Sequence, residues 1–398
     1  MEKDNKDYYG AAMRKIKGDS RCLSTYEYLK RNEEWLERYK DFLKETKSLQ
    51  LLYDPFFKKI FNPVERRDRL SELISCIMGQ KVTVLEVYPN EDSQFLGVMI
   101  IMDMVVQMSD GSIANIEIQK ISYDFPAARI SCYSADLVLR QYKQLAGKSE
   151  LGKTGKSMSN SLNNSLNSSS KPSYKDMRPV HTIILFENSS SSLISELNKE
   201  LYFHVGNTKF NTGIEIDLLQ DYVLISLDTF RKYRYADVKK GRTEIRECDY
   251  DSTQYKDKDV TEKMKLDRLK YLSLFVAETP QEIEQLIGIF PDLEGVRRDI
   301  SEYMERPEEV LSMFSEALRI LDRNTAELMV DRMKDEIVDL KEQNDELEER
   351  TYVLKAENEE LIVHTDKLEA ENNALKVSSG QKDAEIARLK KLLEEQNK

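Results

Sequence analysis

Apolar and polar positions along residues 98–119 follow the pattern of a β-hairpin. The run at 98–106 is apolar and rich in residues that favour strands, and it leads into the turn signal Ser109-Asp110-Gly111. The run at 112–119 then alternates isoleucines with polar residues, which is typical of a strand with one buried face. With the turn centred on Asp110, residues whose numbers sum to 220 lie opposite each other.

This register places Asp103 opposite Glu117 on one face of the hairpin, with Gln119 two residues further along the same face. Two carboxylates held so close repel each other, and a buried unpaired charge is costly. A divalent cation between them would stabilise both, and Mg²⁺ favours such oxygen ligands. The alternative is a solvent-facing hairpin that carries two ordinary acidic residues.

Helix signals precede the hairpin. Asp54-Pro55 starts a short helix that Asn62-Pro63 ends. A second helix is predicted over 64–78, with Gly79 as its C-cap.

Further strands and a long helix complete a mixed sheet of about five strands flanked by helices. The helix is predicted over 125–147, and it carries Arg129 and Tyr133 four residues apart on one face. The further strands are predicted at 81–88, 180–186 and 221–227. The basic and aromatic run 230–235 suits phosphate contact and base stacking, although a solvated linker is the favoured interpretation.

Composition excludes several classes of site. The 398 residues include four scattered cysteines without CxxC spacing and only three histidines, which argues against a zinc site or a Ser-His-Asp triad. The run 152–157 lacks the first glycine of a phosphate-binding loop, so no nucleotide cofactor is expected. No apolar segment reaches membrane-spanning length and no signal peptide begins the chain, so we expect a cytoplasmic protein without a membrane partner.

The net charge of −12 argues at first against a nucleic-acid partner. Residues 326–398 hold 20 acidic and 12 basic residues, however, and so carry −8 of that charge. The remaining 325 residues therefore carry only −4, which leaves room for local basic surface that binds DNA in a salt-sensitive way.

Leucines recur every seven residues near the end of the chain and predict a dimerisation helix over 337–375. The six are Leu340, Leu347, Leu354, Leu361, Leu368 and Leu375. With leucine at d, asparagine or threonine occupies five a positions, and asparagine there specifies a parallel two-stranded coiled coil. Ser378-Ser379-Gly380 is predicted to interrupt the pattern before it resumes.

The chain resembles the PD-(D/E)XK nucleases over about residues 50–330. Because Gln119 stands where many members carry lysine, it is most similar to the PD-(D/E)XK family transposases, also called recombination-promoting nucleases. Pro291 and the runs 313–318 and 324–325 resemble the clostridial-type branch of that family. The likeness is carried by 54–62, 115–120, Arg129 with Tyr133, Pro291, 313–318 and 324–325.

The resemblance implies a restriction-endonuclease-like α/β core and metal-dependent cleavage of DNA. Asp103 and Glu117 would hold Mg²⁺ or Mn²⁺, and Gln119 would take the place of the usual lysine. A glutamine side chain can position water or a phosphate oxygen, but it cannot supply positive charge. The alternative is a catalytically inactive scaffold or interaction protein that acts through its coiled coil, which the acidic charge and Gln119 favour.

Three further residues are candidate supporting groups. Glu72 matches a position where such folds often add a third acidic ligand, although an ordinary surface glutamate is the favoured alternative. Arg129, beside Tyr133, suits a phosphate oxygen or a carboxylate, and a salt bridge between helix and sheet explains it equally well.

The predicted organisation has four parts. The first is a charged N-terminal helical segment, most simply an amphipathic helix packed on the core, with a DNA-contacting arm as the alternative. This N-terminal segment spans 1–48, and a nuclease-like core follows at 49–235 with a disordered Ser/Asn-rich insertion at 148–173. A linker and helical subdomain at 236–325 and a leucine-zipper-like coiled coil at 326–398 complete the chain.

Overall fold

The computed structural model describes most of the chain, in two compact units, Met1–Arg319 and Ile320–Lys398. The described residues are 7–88, 94–95, 98–99, 104–120, 127–154, 174–189, 200–214, 216–246, 249 and 262–396. The first unit contains a mixed sheet with flanking helices, as the alternation of strand and helix patterns predicts.

Six strands form the sheet in the order β1-β4-β5-β6-β8-β7. The pairs β5–β6 and β6–β8 are parallel, and the three pairs nearer the edges are antiparallel. Every residue of the central strand β6 is buried, in keeping with its continuous apolar sequence. The strands of the chain are β1 (Val84–Tyr88), β2 (Gln94–Phe95), β3 (Val98–Met99), β4 (Met104–Met108), β5 (Ile113–Gln119), β6 (Val180–Phe186), β7 (Phe203–Asn207) and β8 (Gln220–Ser226).

The hairpin of β4 and β5 has the predicted register. Its pairs run from Met104 with Ile116 to Gln107 with Ile113, so that paired numbers sum to 220. Gly111 closes the turn with a φ of 87°, a conformation that favours glycine. The Asp110 side chain accepts a hydrogen bond from the backbone N–H of Ser112 at 3.0 Å, which fixes the turn.

The structure describes the apolar run 98–106 in two pieces, β3 and β4, and residues 100–103 lie outside the described ranges. Within the described residues, β3 pairs with β2 in a separate two-stranded sheet, and only β4 enters the hairpin. An apolar run identifies strand-forming residues but does not reveal which partner each part takes. The estimate of five strands also falls short by one, because the edge strand β7 was not predicted.

Helices α5 (Arg67–Met78) and α6 (Ala127–Thr154) contact different parts of the sheet. Helix α6 packs Tyr133 and Leu137 against Val105, Ile113 and Val180. Helix α5 meets the edge strand β1, where the Ser71 hydroxyl accepts a hydrogen bond from the backbone N–H of Val84 at 3.0 Å. The helices are α1 (Tyr8–Gly18), α2 (Ser20–Leu29), α3 (Glu33–Leu43), α4 (Asp54–Ile60), α5 (Arg67–Met78), α6 (Ala127–Thr154), α7 (Leu227–Phe230), α8 (Ala236–Val238), α9 (Glu262–Val276), α10 (Pro280–Ile289), α11 (Glu294–Met304) and α12 (Pro307–Gln396).

The attachment of α9 rests on a buried arginine. Arg268, 1% exposed, donates from Nε to the backbone carbonyl of Cys76 in α5 at 2.9 Å. Its guanidinium also lies 3.9 Å from the ring centre of Phe203 in β7. This one side chain therefore ties two helices to the edge of the sheet.

Helices α4 and α5 confirm the helix signals before the hairpin. Pro55 lies in the first turn of α4, and Gly79 ends α5 in the left-handed conformation with a φ of 69°. The aromatic side chains of α4 are buried: Phe56 lies 4.9 Å from Phe314, ring centre to ring centre, and Phe57 stacks on Phe61.

Residues 8–43 form α1, α2 and α3 rather than one amphipathic helix. The breaks fall at Asp19 and Asn32, whose side chains cap the following helices. Trp35 and Tyr39 are buried on the core, and Lys15 forms an ion pair with Glu308 at 3.4 Å. These contacts support packing on the core for this segment.

The run 230–235 is not a solvated linker. It lies within a continuous helical stretch formed by α7, a π-helical turn and α8. Arg234 is fully buried there and forms an ion pair with Asp249 at 2.8 Å. Tyr235 is also buried, so these two residues serve packing, whereas Arg231 and Lys232 are exposed.

Helix boundaries differ from prediction at two further places. Helix α6 continues to Thr154, so residues 148–154 are helical and only 155–173 of the predicted disordered insertion lie outside the described residues. Helix α12 continues without a break through Ser378-Ser379-Gly380. A glycine in a helix costs only about 1 kcal/mol relative to alanine, which the flanking helix formers offset.

The second unit is helical from residue 320 to residue 396. The six leucines of the heptad pattern are 49–67% exposed in the single chain. The described residues thus present an apolar stripe with the spacing that the sequence predicts.

Candidate active site

Glu117 lies near the carboxyl end of β5 and points to the face of the sheet that α6 covers. Its side chain shares that face with Ile113, four residues earlier, because side chains alternate along a strand. The residue is only 5% exposed, and the Tyr133 hydroxyl donates to its Oε1 atom across 3.4 Å. The sequence therefore buries a carboxylate between the sheet and a helix, as a metal ligand or catalytic carboxylate requires.

Gln119 ends the same strand on the same face and is half-buried. It pairs with Phe186 at the end of the parallel strand β6. Open α/β sheets bind their ligands beyond the carboxyl ends of parallel strands, and Glu117 and Gln119 lie at this edge. Asp103, the third predicted site residue, lies outside the described residues, which begin again at Met104.

The comparisons with known proteins identify this part of the chain. Residues 51–198 match the family model described as PD-(D/E)XK nuclease family transposase. This segment resembles that family. A comparison with curated proteins and one with solved structures found no match.

The match covers the hairpin, α6 and β6, and the mixed sheet with flanking helices is consistent with a PD-(D/E)XK α/β fold. The description of that family suggests a nuclease or transposase function. The match ends before Pro291 and the runs at 313–325, so the clostridial-type branch stays a prediction. Among the described helices, none is both long and apolar enough to cross a membrane.

Of the supporting residues, Tyr133 is brought to β5. It is 3% exposed and lies on α6 directly over Glu117 and Ile113. Arg129 is one turn earlier on the same helix, but its side chain lies outside the described part of the structure. Its role as a phosphate or carboxylate partner stays a prediction.

Glu72 occupies a different environment. It lines a cavity of about 610 Å³ formed mainly by α5, α9 and residues 81–83, and none of the lining residues belongs to β5 or α6. Tyr271 donates a 2.7 Å hydrogen bond to the Glu72 carboxylate, and the Lys270 ammonium lies 3.2 Å from it. Burial alone would raise the pKa of Glu72, but the bond from Tyr271 and the charge of Lys270 lower it below its ordinary value. Glu72 and Glu117 thus do not line one cavity.

Lys120 is a charged residue at this edge that the sequence patterns did not single out. Its Nζ atom lies 3.0 Å from Oε2 of Glu187 and 3.1 Å from the ring centre of Tyr53. The side chain is 14% exposed, and burial lowers its pKa to about 8 although Glu187 acts in the opposite direction. Its partners differ from those of Glu117, as expected one residue further along a strand. The signal in the sequence was a lysine directly after Gln119.

Three fully buried polar residues, also not predicted, lie on the Glu117 face. They are Asn115 in β5, Thr182 in β6 and Ser134 in α6, each 0% exposed. Within the described structure the Asn115 amide and both hydroxyls lack a hydrogen-bond partner. The asparagine between Ala114 and Ile116, on the strand face that also carries Glu117 and Gln119, was the visible sign of this polar layer.

The donor set at the site fits a hard divalent cation in kind. Glu117 offers a buried carboxylate and Gln119 a neutral amide oxygen, and Mg²⁺ and Mn²⁺ favour oxygen ligands. Across the ranges that the structure describes, no group of three or more histidine, cysteine, aspartate or glutamate side chains is placed to hold a metal. Asp103, the other predicted carboxylate ligand, lies outside those ranges.

Proposed function

We propose that the protein is a metal-dependent DNA endonuclease or transposase-like enzyme that hydrolyses phosphodiester bonds. Asp103 and Glu117 would hold Mg²⁺ or Mn²⁺, with Gln119 at the usual lysine position. The observation that carries the proposal is the buried Glu117 carboxylate at the carboxyl end of β5, inside the segment that matches the nuclease family. The register of β4 and β5, which continues toward Asp103, supports the same pair of ligands.

Glu117 is held for this task by its surroundings. The hydrogen bond from Tyr133 limits the directions in which the carboxylate points, and burial strengthens its interaction with any cation. When bound, Mg²⁺ would lower the pKa of a water molecule and neutralise charge on the phosphate. Gln119 would donate to a phosphate oxygen or accept from the attacking water, because its amide offers both donor and acceptor.

The test is incubation of the full-length protein with supercoiled plasmid and Mg²⁺ or Mn²⁺. We expect nicking or linearisation by the native protein and its loss in Asp103→Asn and in Glu117→Gln, which keep the shape of each side chain and remove its charge. Glu86→Gln is the matched control, because Glu86 is exposed on the edge strand β1. Cleavage that survives both site variants would refute the assignment.

We further propose that two copies pair through the heptad segment 337–375. The exposed leucine stripe supports this, because half-exposed leucines at seven-residue spacing gain free energy when a partner helix buries them. A dimer would present two active sites, as cleavage of both DNA strands requires. Leu347→Lys with Leu361→Lys should convert the dimer to a monomer in sedimentation, whereas Glu349→Lys, on the opposite side of the helix, should not.

A cytoplasmic setting agrees with this function. Three of the four cysteines, Cys22, Cys76 and Cys132, are unpaired thiols in the described structure, as is usual in a reducing compartment.

The second candidate is a nuclease-fold scaffold without catalytic activity. The neutral Gln119 favours it, because the amide cannot stabilise negative charge that develops on a phosphate. Metal binding distinguishes the two, since a ligand present at 100 times its Kd stabilises the folded state by about 2.7 kcal/mol. A rise in melting temperature with Mn²⁺ that Asp103→Asn abolishes supports the enzyme, and no rise supports the scaffold.

A further inference from the structure

The polar layer beneath α6 has the composition of a binding site. Asn115 and Thr182 are partners in the parallel pairing of β5 and β6, so their Cα atoms lie about 4.8 Å apart and their side chains share one face. That face is the one occupied by Glu117 and covered by α6.

Ser134 closes the layer from the helix side. Ile130 of α6 packs on Ile184 and Phe186, and Leu137 packs on Ile113 and Val180. Ser134 lies between these two contacts along the same helix face, which places it above the middle of the strands, at the Asn115–Thr182 pair. All three side chains are fully buried.

Four buried polar atoms of this layer have no hydrogen-bond partner among the described residues. They are Oδ1 and Nδ2 of Asn115, Oγ1 of Thr182 and Oγ of Ser134. Buried polar groups are almost always hydrogen-bonded, to protein or to ordered water. A water molecule needs two to four polar partners, and this layer supplies donors and acceptors in that number.

The layer is continuous with the candidate catalytic carboxylate. Glu117 is two residues from Asn115 on the same strand face, and Tyr133, which donates to Glu117, is adjacent to Ser134 on α6. A molecule bound between Asn115 and Ser134 therefore lies behind Glu117, on the side away from the end of the strand.

We propose that Asn115, Thr182 and Ser134 bind one or two buried water molecules, and that this hydrated layer positions the Glu117 carboxylate. Asn115 is thus a positioning residue for the reaction. The role in positioning Glu117 rests on the proposed nuclease function, whereas the binding of water does not.

The sign of a stability change tests the water site. Thr182→Val and Ser134→Ala each remove one hydroxyl with little change of shape. If the hydroxyls bind water, each variant should melt about 2 °C or more below the native protein, because a satisfied hydrogen bond is lost. If the layer is dry, each variant removes an unsatisfied polar group and should melt at or above the native temperature, which would overturn the proposal.

Mn²⁺ affinity, measured by calorimetric titration of the full-length protein, tests the positioning role. Groups that orient a metal ligand typically change the affinity by about 10–100-fold when they are replaced. We expect Asn115→Leu and Thr182→Val to weaken Mn²⁺ binding by at least about tenfold, whereas the exposed control Glu86→Gln should leave it unchanged. Should Asn115→Leu fail to fold, Thr182→Val and Ser134→Ala decide the question.

The two measurements separate the possible failures. Native Mn²⁺ affinity in both the Thr182 and Ser134 variants would overturn the positioning role, even if melting temperatures fall. A native protein that neither binds Mn²⁺ nor cleaves plasmid would refute the proposed function, while the melting temperatures would still decide whether the layer holds water.

Discussion

Replacing Lys120 by methionine should change how the stability of the protein depends on pH. The Lys120 ammonium lies against the Tyr53 ring and 3.0 Å from the Glu187 carboxylate, with only 14% of the side chain exposed. The Arg38 guanidinium donates to the Tyr53 hydroxyl at 2.6 Å and adds a second positive charge nearby. Burial and Arg38 therefore disfavour the charged form of Lys120 more than Glu187 favours it.

The magnitude follows from the pKa. Folding lowers the pKa of Lys120 from 10.5 to about 8. Since one pKa unit corresponds to about 1.36 kcal/mol, the charged lysine costs the folded state about 3 kcal/mol. Between pH 8 and pH 10.5 the unfolded chain binds more protons at this residue than the folded chain does. The contribution of Lys120 to stability therefore rises with pH through this window, and its full cost is present below pH 8.

Urea unfolding of the native protein and of Lys120→Met at intervals from pH 7 to pH 10.5 measures this effect. Other groups that titrate in the range cancel when the two profiles are subtracted. The attraction of Glu187 is already contained in the pKa of Lys120, so the difference between the two profiles needs no separate correction for that ion pair. We expect the native protein to gain about 3 kcal/mol relative to the variant as the pH rises from 7 to 10.5.

An exposed lysine provides the control. Lys240→Met removes a positive charge at the surface and should give a profile parallel to that of the native protein. Parallel profiles for Lys120→Met as well would show that Lys120 is not destabilised by burial, and would refute the reasoning.

Three further predictions concern stability. Arg234→Met should destabilise the first unit by about 3–5 kcal/mol in urea unfolding, because it leaves the buried Asp249 carboxylate without the arginine that binds it. A loss of less than about 1 kcal/mol would contradict this prediction. Phe56→Ala should cost about 3–5 kcal/mol in the same assay through the cavity left beside Phe314, whereas exposed Leu85→Ala should cost less than about 1 kcal/mol. Asp299 is buried, yet hydrogen bonds from two arginines lower its pKa in the folded protein. The stability that its carboxylate provides above the unfolded pKa is therefore lost as acid protonates it. Asp299→Asn should flatten the acid limb of the plot of stability against pH, and an unchanged acid limb would exclude this role.

Local patterns predicted the elements of the hairpin better than their partners. The register from Met104 with Ile116 to Gln107 with Ile113 follows from one turn signal and the period of two, both of which are local. The pairing of Val98–Met99 with Gln94–Phe95 depends on a choice between competing strands, which no short pattern encodes. Strand β7 has only two strongly apolar residues, Phe203 and Val205, so an edge strand of this kind leaves almost no signal.

Burial of charge was the least predictable feature. Arg234 belongs to a run with the composition of an exposed segment, but its partner Asp249 lies 15 residues further on and removes it from solvent. Glu72 was placed correctly on a helix before the first strand. The surroundings of its carboxylate, however, depend on Tyr271 and Lys270, about 200 residues away. Such long-range pairs decide what a charged residue does, and they become visible only in the folded chain.

The neighbours Gln119 and Lys120 show why position along a strand matters more than composition for the site. A positive charge is present one residue after Gln119, the residue that we propose stands at the usual lysine position of the PD-(D/E)XK nucleases. Its ammonium contacts Tyr53 and Glu187, whereas Glu117 contacts Tyr133 of α6. Because side chains alternate along a strand, a shift of one residue moves the charge to the other face of the sheet. The proposed site must therefore work with a neutral amide beside Glu117, which gives the buried polar layer of Asn115, Thr182 and Ser134 more weight in setting its geometry.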